Sequence, residues 1–206
     1  MKIACIVLAS GDSTRFKNSK SKLLYKVYGV PIVEYTLKNT TKFFSKDSLY
    51  ITISKKLTKK EKDLLSKYTN HNLINGGRNR FESLRNAINN IKNCSYDYLL
   101  IHDAARPLTP YSIFEKLFKN IKNNKYDCIV PKTKVEDTLR RNNITVDRSI
   151  YSTYQTPQVF KFNLIKKNLK NLKKIPTDDF GILERKKNLK IKYIDGVKEN
   201  IKITTI

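Results

Sequence analysis

The chain has 206 residues, enough for one domain with a sizeable core and a small excursion, and no run of about 18 apolar residues that could span a bilayer. Its 42 Lys+Arg against 18 Asp+Glu give a formal net charge of +24. The lysines are scattered through helix-like stretches such as "KKLTKKEKDLLSKY" and "KKNLKNLKK", which describes a solvated basic surface that steers anions rather than a nucleic-acid docking stripe.

The first segment, "KIACIVLAS", is short, apolar and rich in β-branched residues, and predicts a buried strand rather than a signal peptide. A Gly-containing loop follows, then a helix from Pro31, whose fixed φ suits a first turn. "LYITIS" is a second strand. "TKKEKDLLSKY" is a helix with Thr58 as its cap and Glu61 at capping-box spacing. "NLINGG" is a short strand ending in paired glycines, and "RFESLRNAINNI" is an amphipathic helix. "YDYLLIH" is a central strand, "PYSIFEKLFKNI" a helix and "YDCIVP" another strand. The alternation predicts an α/β fold: a Rossmann-like, mostly parallel sheet with helices on both faces.

Residues 132–154 break the rhythm. They carry no long apolar face and predict a protruding β-hairpin arm with "RRNN" at its tip, which needs a second subunit to pack on. "LKIKYIDG" and "NIKITTI" are two strand-like segments around Gly196, placing Lys202 on an alternating strand. The three cysteines, Cys5, Cys94 and Cys128, form no C-x-x-C, and His71 and His102 lack metal-ligand spacing. Cys5 and Cys128 read as small buried thiols, and a reducing cytoplasm fits this usage.

Ligands of open α/β sheets bind outside the carboxyl ends of the strands. Those ends here collect "ASGDSTRFKNSKSK", "GGRNR", "HDAARP" and "VEDTLRR", so each brings a cation, a carboxylate or a close-approach glycine. The first loop can wrap an anion with backbone N–H groups, while Arg15 and Lys22 neutralise phosphoryl oxygens. It is neither a Walker loop nor a dinucleotide fingerprint.

"LASGDSTRF…SKLL", "GGRNRFESL", "HDAARPL", "VEDTL", "YQTPQVF", "TDD" and "GVKENIKITT" resemble, in order and over essentially the whole chain, the 2-C-methyl-D-erythritol 4-phosphate cytidylyltransferases of the non-mevalonate isoprenoid pathway. The resemblance implies one nucleotidyltransferase domain over 1–206, with 132–154 as a dimerisation arm. It implies that CTP and methylerythritol phosphate give the CDP-alcohol and pyrophosphate by in-line attack on the α-phosphorus. Arg15, Lys22, Arg148 and Lys202 match catalytic positions. Ala9, Ser10, Gly11, Gly76, Gly77, Arg80, Ser83, Asp103 and Ala104 match nucleotide-binding ones, Gly76, Gly77, Arg80 and Ser83 at the cytosine. Arg106, Thr138, Arg148 and Lys202 match the sugar-phosphate site, and Asp103 matches the Mg²⁺-binding acid.

The resemblance further implies a cytoplasmic homodimer in which Thr138 and Arg148 reach a neighbouring subunit's site, with no nucleic acid or membrane partner. Ser13 stands where the family loop usually has a second glycine, and Ser21 where it has proline. Family members continue with a helix after "KIT", and some are fused to a cyclodiphosphate synthase. The end at Ile206 is therefore expected to mark a short form or a piece of a longer, bifunctional chain. His102, Tyr154 and Gln155 read as structural, whereas Asp178 and Asp179 read equally as helix-terminal acids or site acids. The competing functions are a ribitol-5-phosphate cytidylyltransferase and, in another class, a basic nucleic-acid-binding protein.

Overall fold

The computed structural model describes residues 1–11, 22–71, 73–92, 95–170, 172, 175–176, 178–184 and 186–204. In chain order its elements are β1 (Ile3–Ala9), a small hairpin of β2 (Lys26–Val27) and β3 (Val30–Pro31), α1 (Ile32–Thr40), β4 (Leu49–Ile53), α2 (Lys59–Ser66), β5 (Ile74–Asn75), α3 (Arg80–Asn90), β6 (Tyr98–Asp103) and α4 (Tyr111–Ile121). There follow β7 (Cys128–Lys134), β8 (Leu139–Arg141), β9 (Ile144–Val146), β10 (Ser152–Tyr154), β11 (Gln158–Lys161), α5 (Phe162–Lys170) and β12 (Ile191–Asp195).

The central sheet is mostly parallel. β1 lies between β4 and β6, both parallel to it, and β5 extends the sheet beyond β4. On the other side β11 runs antiparallel to both β6 and β7, and β12 runs parallel to β7. β10 pairs with the far end of β7, Lys132–Lys134.

Two cores, one on each face of the sheet, follow from strand alternation. Cys5, Val7 and Ala9 pack with Ile32, Val33 and Leu37 of α1 and with Ile113, Phe114, Leu117 and Ile121 of α4. Ala4, Ile6 and Leu8 pack on the opposite face with Leu84, Ala87 and Ile88 of α3 and with Phe162, Ile165 and Leu169 of α5. Helix-spaced apolar residues thus meet strand-spaced ones, which gives the expected α/β layering with helices on both faces.

Local signals agree with the elements they mark. The Thr58 hydroxyl accepts from the Glu61 N–H while the Glu61 carboxylate accepts from the Thr58 N–H, closing the capping box of α2. Asn142 and Asn143 both have positive φ, 48° and 64°, as a two-residue primed turn requires, and they join β8 to β9. The hairpin belongs to neither the central sheet nor its cores, although the first and last residues of 132–154 are sheet residues of β7 and β10.

One sequence expectation fails in this region. Among residues 201–204, "IKIT" forms no strand. Side-chain pins hold it instead. Asn200 is fully buried; its amide donates to the Thr156 carbonyl and to Gln155 Oε1, and its Oδ1 accepts from the Thr109 hydroxyl. The Ile203 N–H then donates to the Ala105 carbonyl at 2.9 Å. Cys5 and Cys128 are buried free thiols as expected, with burial pushing Cys128 up to about 12. Cys94 lies outside the described residues.

Candidate active site

A cavity of about 540 Å³ opens at the carboxyl ends of β1 and β6. Lys22, Arg78, Arg80, Asp103 and Lys202 are the charged residues of its lining, and Ser10, Gly77, Asn79 and Ser83 are among the neutral ones. A second cavity of about 440 Å³ adjoins it, sharing Ser10, Gly77 and Arg78 and adding Lys55, Lys56 and Gly76.

Asp103, the last residue of β6, is the hub. One oxygen accepts from Arg80 Nη1; the other lies 2.8 Å from Lys202 Nζ and 3.8 Å from Arg106 Nε. Burial alone would raise this carboxyl, but Arg80, Lys202 and Arg106 outweigh it and hold the group well below the usual carboxylate range. The Asp103 N–H donates to Thr156 Oγ1 at 3.1 Å, fixing the backbone there. His102 is buried between Thr156 and Thr109, and burial pushes it down to about 3, so it is a neutral structural residue.

Arg80, at the start of α3, carries a second ion pair to Asp179. Asp179 is buried, and no capping hydrogen bond runs from its side chain to the turn that follows. Asp179 therefore serves as an ion-pair partner of Arg80 and does not itself line the cavity, while Asp178 caps the turn by accepting from the Gly181 N–H at 2.9 Å. The only sequence signal for the Arg80 partner was the paired acid itself.

Other expected residues distribute unevenly. Gly11, Gly77, Ser83 and Lys22 line the main cavity, and Gly76 the second. Ala9 is buried in the core beside them. Ala104 also faces the core, its carbonyl accepting from Thr36; Ala105 is the alanine on the cavity wall. Arg106 sits behind Asp103, donating to the Asn200 carbonyl, and does not line the cavity. Thr138 and Arg148 are exposed on the hairpin arm, where Arg148 donates to the Glu136 carbonyl, away from this cavity. Arg15, with Ser13 and Ser21, lies outside the described residues. Sequence reasoning gave no site role to Asn79, Arg78 or Thr204, which also line the cavity.

The family model for IspD, 2-C-methyl-D-erythritol 4-phosphate cytidylyltransferase, matches residues 3–206. The chain belongs to that family. A 2-C-methyl-D-erythritol 4-phosphate cytidylyltransferase of Dictyoglomus thermophilum is 33% identical over 217 residues, covering 99% of this chain and 92% of that protein. A bifunctional enzyme IspD/IspF of Pelagibacter ubique is 32% identical over 205 residues, covering 97% of this chain and 53% of the relative. The chain therefore spans about half the length of the bifunctional relatives it matches. Among solved structures, the bifunctional IspDF of Campylobacter jejuni superposes with a TM-score of 0.82 at 30% identity, over 100% of this chain and 52% of that one. The 4-diphosphocytidyl-2C-methyl-D-erythritol synthase of Anaerococcus prevotii, at 24% identity, shares the fold with a TM-score of 0.79.

Proposed function

We propose that this chain is a cytidylyltransferase: the phosphate of 2-C-methyl-D-erythritol 4-phosphate attacks the α-phosphorus of CTP in line, forming one P–O bond as pyrophosphate leaves with the other. The observation that carries this reading is the gathering of Lys22, Arg80, Lys202 and Asp103 on the lining of one cavity that also presents the side chains of Ser10 and Ser83. Phosphates meet the cations and the base the hydroxyl-bearing residues. Lys22 and Lys202, with Arg15, offset charge that builds on phosphoryl oxygens during displacement. Lys202 is partly exposed and exchanges Asp103 for a substrate phosphate as it does so.

Among the described residues no group of three or more His, Cys, Asp or Glu gathers to cage a metal. Asp103 is the one carboxylate on the main cavity's described lining, which suits a Mg²⁺ ion that keeps waters and arrives on the triphosphate. Asp103 would hold it, and the ion would supply charge neutralisation along the phosphates.

Residues 1–206 act in this reading as one nucleotidyltransferase domain, with 132–154 as an arm that carries Thr138 and Arg148 into the polyol-phosphate site of a second copy. Three large apolar side chains, Ile144, Ile150 and Tyr151, are held out on that one arm, and their concentration on a single projecting segment supports a homodimer. The bifunctional relatives support a chain of this kind working beside an IspF partner. A cytoplasmic setting belongs to the same reading; no helix among the described residues is long and apolar enough to cross a membrane.

The test is pyrophosphate release with CTP, ATP, GTP and UTP against methylerythritol phosphate and ribitol 5-phosphate, with and without Mg²⁺. Release confined to CTP with methylerythritol phosphate and Mg²⁺ is expected. Preference for ribitol 5-phosphate, or polyanion binding without turnover, overturns the reading.

A further inference from the structure

Lys202 reaches the cavity from a segment with no strand ladder to hold it, residues 201–204. Its backbone is fixed from both sides by other means. One residue downstream, the Ile203 N–H donates to the Ala105 carbonyl at 2.9 Å. Two residues upstream, the fully buried Asn200 side chain makes three hydrogen bonds.

Their direction follows from the partners. The Thr156 carbonyl, 2.9 Å away, can only accept, so the amide nitrogen of Asn200 faces it. The second amide hydrogen goes to Gln155 Oε1 at 3.2 Å, which leaves Oδ1 facing the Thr109 hydroxyl at 2.8 Å. Gln155 is itself held: its Oε1 also accepts from the Val197 N–H at 3.2 Å, and its Nε2 donates to the Val197 carbonyl at 2.8 Å. The Asn200 carbonyl accepts from Arg106 Nη1. A buried amide with both hydrogens and its oxygen engaged has a single orientation.

Thr156 ties this clamp to the acid of the site. Its carbonyl takes the Asn200 amide, and its Oγ1 accepts from the Asp103 N–H at 3.1 Å. The two members of the Lys202–Asp103 pair, 2.8 Å apart, are thus referred to one residue.

We propose that Asn200 is a positioning residue for Lys202. By seating the backbone on Thr156, it sets where the ammonium stands relative to Asp103, and so where a substrate phosphate is met. Asn200 does not line the cavity and acts through Lys202. The proposal rests on the cytidylyltransferase reading for the work Lys202 does there, although the clamp itself stands on geometry.

The experiment is a double-mutant cycle of N200A and K202A. It is read by turnover and, without substrate, by competitive acetylation of individual lysines resolved by mass spectrometry; melting curves confirm folding. N200A is expected to lower kcat/KM about ten- to a hundredfold, the scale of a misplaced group, with the KM for methylerythritol phosphate rising more than that for CTP. N200A/K202A is expected to match K202A within about twofold, because Asn200 then has nothing left to place. Lys202 should acetylate faster in N200A than in the native chain, since it no longer sits on Asp103, while Lys59 on α2 keeps its rate. If N200A does not fold, Thr109→Val, which removes only the hydroxyl facing Oδ1, carries the same cycle with a smaller effect in the same direction. Losses that multiply in the double variant, or unchanged Lys202 acetylation in the folded single variant, make Asn200 a stability residue and overturn the assignment. A native chain that releases no pyrophosphate but shows the acetylation response keeps this assignment and removes the enzymatic reading, whereas turnover with multiplying losses does the reverse.

Discussion

Arg80 and Asp179, separated by 99 positions in sequence, form an ion pair across the wall of the cavity. The same guanidinium holds Asp103 through its other nitrogen. Desolvation works against the Arg80 charge, but Asp179 and Asp103 together keep it above its ordinary range. Burial pushes Asp179 up, and Arg80 pulls it back. Replacing Asp179 by Ala leaves the guanidinium half-partnered in a site largely closed to water. The expected cost is about 3 kcal/mol, the low end for breaking a buried pair, because Arg80 keeps 28% side-chain exposure. D179N, which retains an acceptor, should cost less. Urea midpoints at constant m-value check both, and an unchanged midpoint for D179A would show that the pair contributes nothing.

Lys202 behaves differently because it is 40% exposed and its partner Asp103 has Arg80 as well. Lys202→Ala should leave the urea midpoint within about 1 kcal/mol of native, the scale of an exposed pair. Turnover should fall by about 10²–10³, as when one charge-stabilising donor is removed. A variant that lost stability but kept its turnover would make Lys202 a scaffold residue.

The buried runs of β1, β4 and β6, the capping box at Thr58 and Glu61, and the Asn142–Asn143 turn were legible because each is a local pattern with a local cause. The site was legible only in part. Asp103 and Lys202 could be read as members of one rim, but "NIKIT" looked like a strand, since alternation does not reveal that Asn200 is pinned by Thr109, Gln155 and Thr156. Ala104 and Ala105 are equivalent in sequence, and only the end of β6 decides which one faces the cavity. Asp179 and the Thr52–Ser10–Ser83 hydroxyls act through partners on other elements, which no window of sequence contains.

Gly76 offers a sharp test of close packing against Ser10. A methyl group there collides with the Ser10 Cβ, which lies directly after the central strand β1. Gly76→Ala should destabilise the fold by about 1–3 kcal/mol, the usual cost of overpacking. It should also weaken CTP binding, since Ser10 must move. Calorimetry showing native CTP affinity in a folded G76A chain would mean that the base does not lie against Ser10.

The arm predicts an assembly. With Ile144 at 70% and Ile150 at 77% exposure, a second copy is the surface these side chains are expected to cover. Sedimentation should give a dimer for the native chain and a monomer for the I144D/I150D variant. Turnover should drop with the dimer, because Thr138 and Arg148 then reach no second site. A native chain that sediments as a monomer and still turns over would place polyol-phosphate recognition elsewhere.

His102 sets a pH limit on stability. Burial comes first among the causes that depress it to about 3, with Arg106 and Arg80 acting in the same sense and Asp103 opposing them. The unfolded imidazole titrates near about 6.5. Between those values the unfolded state binds the proton and the folded state does not, so stability rises with pH across that window and falls as pH drops through it. The expected slope from this one residue approaches about 1.4 kcal/mol per pH unit below about pH 6. Protonation would also disrupt an imidazole seated between the Thr109 and Thr156 hydroxyls, just behind Asp103. Asp103, held low by its cations, keeps its own contribution until more acidic pH, so the early loss belongs to His102. Urea denaturation from pH 7 to pH 4.5 should therefore show a shallower decline in His102→Gln than in the native chain, even if the variant is less stable at pH 7. Parallel slopes would place the imidazole pKa near its ordinary value and remove His102 as the cause.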